Sequence, residues 1–486
     1  MNALSMAPFG LLALPLLSGA VLARLEPRRV AVGRAISAVS FLLQLLLAAT
    51  LVAEQLHDAP VAVRVAAGVL LVLDRLSAWM ILAAAAIALT AFCYDAAAGQ
   101  RWSARVASLL HIQLFLAVAG YLVADLASLW LCTEASLLLA LLPAYRAARR
   151  ASPTDGPTFL TVKIAATLAG ALALACIYLT TGTFDLASLA AIAPTVAAGD
   201  AALLHGAQLG LLVVLVLTAA GMPLLMWAPR SHAALPASSL LLCVVQCGLA
   251  IYVLLRLYTL VFPCVAAGPC AAPGLALPLG LATLMTAVLG AFGVERLRSM
   301  AACLLIMMLG LTLIAAGNFR AGGLAVAVFY LMHLTLTGAA LLLAADLVMR
   351  SKPEPLAAPR RRAAWSIASL AGASAIGLPP SSGFVGLIAL LQASVADALP
   401  VWTLLSSSTL VALAALLKRA NVVPRAADSD LGNGGPQPRQ LAVAGALLVA
   451  LAMLSIAAAP ALDFARATAQ QLLDRRAYLE SVARVR

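Results

Sequence analysis

The sequence predicts an all-α, multi-pass membrane protein of about fourteen transmembrane helices, with two inverted five-helix repeats that contain broken helices. Of its 486 residues, 64% are hydrophobic and 10% are charged, whereas a soluble domain has about 45–50% apolar and about 25% charged residues. Fourteen apolar runs follow one another, each long enough to cross a bilayer as a helix of roughly 20 residues. Soluble folds are therefore excluded, and runs of this length favour helices over a barrel.

The apolar runs divide the chain into four parts. They start near residues 7, 30, 76, 105, 125, 158, 205, 238, 272, 299, 321, 364, 398 and 441. The first run lacks a preceding basic segment and is long enough to span, so we interpret it as a helix and not as a cleaved signal peptide. The parts are residues 1–104 with helices 1–3, 105–262 with the first repeat (helices 4–8), 263–420 with the second (helices 9–13), and 421–486 with helix 14 and a tail.

The basic residues predict the topology. The chain has 31 Lys and Arg against 19 Asp and Glu, a net charge of +12, and these cations lie mostly in short loops between apolar runs. The odd-numbered loops and their flanks hold 22 of them and the even-numbered ones 4. By the positive-inside rule the odd loops are cytoplasmic, and both termini lie on the other side of a bacterial-type inner membrane. Five arginines in the C-terminal tail argue mildly against this orientation. We expect the bilayer, and not nucleic acid, to be the partner of these charges.

The cysteines do not indicate a cofactor. Eight cysteines are scattered without a CxxC pair or a cluster with histidine, so neither zinc nor an iron–sulfur cluster is suggested. We expect no metal and no redox cofactor in this chain. Cys264 and Cys270 fall in a loop predicted to be external, where a disulfide is possible, but the spacing alone leaves their pairing open.

Two apolar runs contain helix breakers. The breakers in the seventh run include Pro223 and Pro229, and those in the twelfth run are Pro379, Pro380 and Gly383. Proline removes an intrahelical hydrogen bond, so the freed backbone groups need a protein-lined or watered cavity at membrane depth. Discontinuous helices at matching positions of two five-helix units are typical of inverted-repeat transporters. Ordinary proline kinks are the alternative interpretation.

Four ionisable residues within or beside apolar runs are candidates for an ion pathway. Glu134 lies in the middle of the fifth run, where a carboxylate is costly enough to suggest a function. Lys163, near the start of the next run, is its most plausible partner, unless it extends to the membrane surface. His232 follows the first break and His333 lies within run eleven; each either relays protons or forms a helix-to-helix hydrogen bond.

Several segments together resemble one membrane-protein family. They are residues 74–77, 178–186, 222–232 with Pro236, 377–379 and 382–386. In this order they are similar to the antiporter-like membrane subunits of respiratory complex I (an NADH-quinone oxidoreductase), of membrane-bound hydrogenases and of multisubunit cation/proton antiporters. The resemblance covers most of runs three to fourteen.

The resemblance implies a proton relay that this sequence keeps in part. In the family, a glutamate in run five, lysines in broken run seven and beyond, and a lysine or acid in broken run twelve exchange protons. Glu134 matches the first of these. The other positions are occupied by Thr218, Thr337 and Leu387, which carry no titrating proton at neutral pH.

Two functional hypotheses follow from this mixed pattern. The first is a proton- or cation-translocating subunit of a complex I-like or hydrogenase-like assembly, in which Glu134, Lys163, His232 and His333 replace the usual relay. The second is a degenerate relative that serves as a structural or adaptor subunit without its own ion pathway. A carrier of an organic substrate is a weaker third possibility. The partners expected are other membrane and peripheral subunits, which would carry any electron transfer.

Overall fold

A computed structural model of the chain shows a bundle of long helices. It describes residues 3–26, 28–55, 60–65, 69–98, 103–151, 155–221, 237–262, 271–317, 319–350, 358–394, 398–422 and 436–485.

The first part of the chain contains eight helices. Their bounds are α1 Ala3–Arg24, α2 Val30–Glu54, α3 Arg75–Ala97, α4 Ala104–Leu122, α5 Leu126–Ala151, α6 Asp155–Thr181, α7 Leu186–Ile192 and α8 Ala198–Thr218. The 3₁₀ turn Ala193–Thr195 joins the short α7 to the segment before α8.

The second part contains ten more helices. Their bounds are α9 Ala237–Arg256, α10 Ala271–Gly293, α11 Leu297–Gly317, α12 Ala321–Met349, α13 Ala358–Ile376, α14 Ser382–Ala393, α15 Ala398–Val422, α16 Pro438–Ile456, α17 Ala458–Leu473 and α18 Arg475–Ala483. A π-helical turn, Leu257–Val261, extends α9 by five residues.

The all-helical membrane architecture predicted from the sequence is confirmed. Twelve of the described helices are long and apolar enough to cross a membrane, and Leu126–Leu139 and Ser382–Ala393 are shorter apolar helices. Each apolar run of the sequence corresponds to a described helix or to a pair of helices joined at a break. The count of fourteen spans and the two inverted repeats stay predictions.

Three helices form the centre of the bundle. Each of the spanning segments Cys243–Val261, Leu297–Gly317 and Ala321–Met349 contains an 18-residue stretch that is completely buried. By contrast, only 28–39% of the spanning segments of α1, α2, α6, α15 and α16 is buried, which places these helices at the periphery. Since lipid tails are as apolar as leucine, peripheral helices need no polar outer face.

A β-hairpin between α2 and α3 did not follow from the sequence reasoning. Strands β1 (Val61–Arg64) and β2 (Leu70–Leu73) pair antiparallel, with Val61 opposite Leu73 and Arg64 opposite Leu70. Their β-branched and leucine residues suit strands, but segments this short do not stand out among longer apolar runs. The hairpin lies directly before α3 and positions the start of that helix.

An ion pair joins the start of α3 to the end of α9. Asp74 Oδ2 lies 2.6 Å from Arg256 Nη1, and both side chains are at most 5% exposed. Asp74 also forms a capping box with Ser77. The Arg256 guanidinium lies over the rings of Tyr252 and Tyr478, at 5.3 and 5.5 Å from their centroids. Asp74 therefore binds a cation on another helix and not the adjacent Arg75.

The C-terminal helices α17 and α18 cover this end of the bundle. Arg475 Nη2 donates a hydrogen bond of 2.6 Å to the carbonyl of Ala190. The backbone N–H of Arg75 donates to Gln471 Oε1 at 3.1 Å. Trp79 and Phe464 pack with their ring centroids 4.9 Å apart. These contacts tie the tail to α3 and α7.

We expect Asp74→Asn to destabilise the protein by about 3 kcal/mol, because it leaves the buried Arg256 charge without its partner. Burial raises the pKa of Asp74, but Arg256 and Ser77 lower it more, so its pKa lies below the ordinary value. The contribution is therefore complete above the ordinary Asp pKa and is lost as pH falls below it. Thermal unfolding of the full chain in mild detergent measures both effects.

The control for this change is Asp463→Asn. Asp463 also pairs with an arginine, Arg466, but the two side chains are 69% and 65% exposed, so we expect a change below about 0.5 kcal/mol. Equal destabilisation by the two substitutions would show that burial of the Asp74 pair does not matter.

Candidate functional site

The first candidate site is a buried ion pair between α5 and α6. Lys163 Nζ lies 3.0 Å from Glu134 Oε1, and Thr167 Oγ1 donates a hydrogen bond of 2.7 Å to Glu134 Oε2. Lys163 and Thr167 are four residues apart and therefore share one face of α6. Both charged side chains are 7% exposed. Lys163 thus points into the bundle and does not extend to the membrane surface.

Polar side chains link this pair to the neighbouring helices. Thr133 and Ser136 flank Glu134 on α5. Gln246 Nε2 on α9 donates to the backbone carbonyl of Thr133 at 3.0 Å, and Gln113 Nε2 on α4 donates to Ser136 Oγ at 2.5 Å. The Oε1 atoms of both glutamines are buried and have no hydrogen-bond partner among the described residues. Buried acceptors of this kind are typical binding sites for internal water.

The helix of the seventh run ends where the sequence predicts an interruption. α8 stops at Thr218, and Ala220 follows with a φ of 69°. The N–H of Gly221 donates to the carbonyl of Val216 at 2.8 Å, and that of Ala220 donates to Leu217 at 3.0 Å. These two bonds form a Schellman motif, which satisfies carbonyls at the end of the helix.

Some predicted residues of this region lie outside the described residues. They are Pro223, Pro229 and His232. Thr218, which the resemblance places at a family lysine position, is described: it is buried, and its Oγ1 has no hydrogen-bond partner in the described part of the chain. Cys264 and Cys270 also lie outside the described residues, so their pairing stays open.

The twelfth run is broken between α13 and α14. Gly377, directly after α13, has a φ of 82°. Its N–H donates to the carbonyl of Ser374 at 3.2 Å, and that of Leu378 donates to Ala373 at 2.9 Å. This is the same Schellman motif that ends α8. Pro379 and the residue after it occupy the turn that leads to α14.

The break places polar atoms beside the central helix α12. His333 Nδ1 lies 3.0 Å from Ser382 Oγ at the start of α14 and 3.2 Å from Thr337 Oγ1, one turn along α12. His333 is fully buried, and its Nε2 has no hydrogen-bond partner among the described residues. Thr337, which the resemblance predicts to stand at another family lysine position, places its hydroxyl beside the histidine.

Gly383 lies where α14 approaches α12 and α13 most closely. A Cβ at this position would lie 2.0 Å from the carbonyl oxygen of Ser374 and 3.1 Å from the His333 ring. Glycine is therefore required by the packing. Leu387, one turn further along α14, packs against the apolar core. The titratable group that the resemblance predicts for this position stays a prediction, and the structure shows an apolar contact there.

A second charged cluster was missed by the sequence reasoning. Asp346 on α12 is fully buried and contacts Arg298 of α11 and, at 2.7 Å, Arg350 Nε. Tyr94 OH of α3 donates to Asp346 Oδ2 at 2.7 Å. The spacing of Asp346 and Arg350 is visible in the sequence, but the approach of Arg298 and Tyr94 depends on helix packing.

α9 lies next to both candidate sites. It contacts α5, which carries Glu134, and α12, which carries His333. The structure brings Glu134 and Lys163 together but does not bring His333 to them. Among the described residues, no group of three or more His, Cys, Asp or Glu is placed to hold a metal ion.

Comparisons with known proteins agree with this architecture. Residues 123–413 match the family described as NADH:quinone oxidoreductase/Mrp antiporter, TM. A probable K(+)/H(+) antiporter subunit from Rhizobium meliloti is 28% identical in an alignment 453 residues long, which covers 84% of this chain and 82% of that protein. A Na(+)/H(+) antiporter subunit from Alkalihalophilus pseudofirmus is 24% identical in an alignment 433 residues long, which covers 85% of this chain and 86% of that protein.

A solved structure has the same fold. One chain in the structure of the Mrp complex from Dietzia sp. DQ12-45-1b superimposes with a TM-score of 0.83 at 22% identity. The alignment covers 99% of this chain and 100% of that chain. The same arrangement of helices is therefore reached by sequences that differ at most positions.

We expect Gly383→Ala to destabilise the protein by about 1–3 kcal/mol, because the added methyl group must displace the Ser374 carbonyl and the His333 ring. The midpoint of thermal unfolding in detergent measures this effect.

Gly445→Ala is the matched control. A Cβ at Gly445 in α16 meets no atom within 4 Å, so alanine should stabilise the helix by about 0.5–1 kcal/mol. If Gly383→Ala were tolerated as well as Gly445→Ala, α14 would not pack as closely against α12 and α13 as the structure shows.

Proposed function

Because this chain belongs to the NADH:quinone oxidoreductase/Mrp antiporter transmembrane family, we propose that it translocates protons or other cations as one subunit of a multisubunit membrane complex. Membership confirms the family resemblance found in the sequence. The observation that carries the proposal is the buried pair of Glu134 and Lys163, which lies within the matched region. An ionisable pair in a membrane helix is costly and is typically kept for transport.

The geometry of the pair allows coupling between a proton and a charge. With Glu134 ionised, its carboxylate holds the Lys163 ammonium at 3.0 Å and accepts a hydrogen bond from Thr167. A proton that arrives on Glu134 removes the attraction, which is strong where the dielectric constant is low. Lys163 is then a buried charge without a partner, so it must move toward another acceptor or give up its own proton. Each proton that Glu134 takes up therefore causes Lys163 either to move or to release one proton.

The nearby polar groups provide a route for the proton. The free Oε1 atoms of Gln113 and Gln246 are acceptors beside the residues that flank Glu134. Water bound there would connect α4, α5 and α9 by hydrogen bonds. α9 also contacts α12, where His333 with the hydroxyls of Thr337 and, on α14, Ser382 forms a second group of polar atoms.

The relatives favour an antiporter assembly as the host. The two similar proteins are named as subunits of a K(+)/H(+) and of a Na(+)/H(+) antiporter, and the alignments span most of both chains. We therefore place this chain among other membrane and peripheral subunits of a cation/proton antiporter in a bacterial-type inner membrane, with both termini outside the cytoplasm. In this proposal the chain itself carries no cofactor, and any electron transfer belongs to other chains.

A purely structural role explains fewer of the observed residues than a role in transport does. It accounts for Thr218, Thr337 and Leu387 at the positions of the family's titratable groups. It does not account for Glu134 and Lys163, because apolar residues of similar volume are often as stable as a buried ion pair or more stable. The pair also joins α5 to α6, but that structural role does not require two groups that can both change charge.

We expect Glu134→Gln to slow cation-driven proton movement by at least about 10-fold, because the amide cannot take up a proton. The measurement uses the assembled complex in vesicles with an internal pH-sensitive dye. Glu54→Gln is the control, since Glu54 is exposed at the end of α2. Unchanged proton stoichiometry in a fully assembled Glu134→Gln complex would make this chain a structural subunit.

We expect His333→Leu to slow transport by about 10-fold in the same vesicles, because it removes the ring nitrogen that faces Ser382. His111→Phe is the control: His111 is a second buried histidine, and its ring stacks on Phe41 with centroids 4.0 Å apart. Phenylalanine keeps this stacking, so transport should stay normal. Equal losses in both variants would point to a packing effect and remove His333 from the pathway.

A further inference from the structure

An apolar groove opens between α11, α12, α13 and α15. Its empty volume is about 440 Å³, and its walls include Leu297, Met300, Leu341, Trp365, Ala368 and Leu416. The wall residues belong to the first turn of α11, the last turns of α12, the second and third turns of α13 and the last turns of α15. Since consecutive spanning helices alternate in direction, all of these turns lie near the same end of the bundle.

Arginines lie at this end of two of the helices that form the groove. Arg296 directly precedes α11, and the three arginines 360–362 lie in the first turn of α13. Arg361 stands four residues before Trp365 and seven before Ala368, so it continues the groove-lining face of α13. Arg362 stands three residues before Trp365 and seven before Ser369, so it also lies close to this face of α13. Helical side chains lean toward the N-terminus of their helix, which directs both arginines toward the membrane surface.

These arginines have no structural use within the described chain. Arg296, Arg360 and Arg362 are exposed, and Arg361 is half-buried. None of the four forms an ion pair with a carboxylate among the described residues. The nearby Arg298 and Arg350 differ, because both contact the buried Asp346.

We propose that the groove binds one acyl chain of an anionic phospholipid, whose phosphate is held by Arg361 and Arg362. The walls are apolar, and Trp365 lies where an interfacial tryptophan is expected, just below the charged turn. Basic residues at the membrane surface beside a cleft between helices are typical of anionic lipid sites. Headgroup and acyl chain are thus recognised by adjacent parts of one surface.

The narrowness of the groove favours a lipid over a protein. An α-helix with its side chains is about 10–12 Å wide, whereas the 440 Å³ of the groove includes the open space at its mouth, so the space between the four helices is too small for a fifth helix. An acyl chain is much thinner and enters lengthwise from the bilayer. The positive charge selects a lipid with a net negative headgroup over a zwitterionic one.

Photo-crosslinking tests the site. The full chain in mild detergent is mixed with phosphatidylglycerol that carries a diazirine in one acyl chain, and labelled peptides are identified by mass spectrometry. We expect label within 297–301, 341–345 and 365–369, and displacement by unlabelled phosphatidylglycerol but not by phosphatidylcholine with the same acyl chains.

Two kinds of variant separate the headgroup site from the acyl-chain site. Arg361→Ala combined with Arg362→Ala should weaken phosphatidylglycerol binding by about 30-fold, at about fivefold per arginine. Ala368→Phe fills the groove without changing its charge and should abolish labelling of 297–301. Arg28→Ala is the control, because Arg28 is an exposed cation in the loop between α1 and α2, at the same end of the bundle, and it should bind as the unchanged chain does.

Three results would overturn the proposal. The first is that phosphatidylcholine competes as well as phosphatidylglycerol. The second is that the double arginine variant binds phosphatidylglycerol as tightly as Arg28→Ala does. The third is that the groove is no longer labelled when the chain is assembled with its partner subunits. The last result would assign the groove to a neighbouring protein. None of these results depends on ion transport by the chain.

Discussion

The cost of burying charge determines how this chain is built. Three buried carboxylates, those of Asp74, Glu134 and Asp346, each contact a cation on another helix, because an isolated charge in an apolar interior is expensive. Each pair thereby fixes two helices against one another. The apolar remainder cannot do this as specifically, since helices in lipid gain little from apolar contact alone. The pairs therefore determine which helices are neighbours at the ends and in the middle of the bundle.

The three pairs nevertheless have different chemistry. Asp74 and Asp346 bind arginine, which stays protonated in proteins, and each is held by further groups: Ser77 for Asp74, and Tyr94 for Asp346. Such pairs keep their charges and hold their helices together. Glu134 instead binds Lys163, whose ammonium can give up its proton when buried. Only this pair combines two groups that can both change charge, which is why it is the candidate for transport.

The sequence predicts the helices better than it predicts their contacts. Run lengths identify the spanning helices, and Pro and Gly identify the break after Ile376, because both follow from local chemistry. The partner of Glu134 follows from the scarcity of intramembrane cations. Two features depend on how distant helices pack, and no spacing in the sequence encodes them. They are Arg256 as the partner of Asp74, and the approach of Arg298 and Tyr94 to Asp346. The hairpin before α3 was missed for a different reason, since its strands are too short to differ from an apolar run.

The second break is kept although the titratable group that would follow it is absent. Leu387 is apolar, yet the Schellman motif at Gly377 and the packing of Gly383 against the Ser374 carbonyl and His333 are both intact. A helix that only fills space could run straight, without an interruption that opens its hydrogen-bond ladder at membrane depth. The interruption instead brings the Ser382 hydroxyl to His333 Nδ1. The geometry of the break therefore positions a hydroxyl beside the histidine, while Leu387, one turn further along α14, makes only apolar contacts.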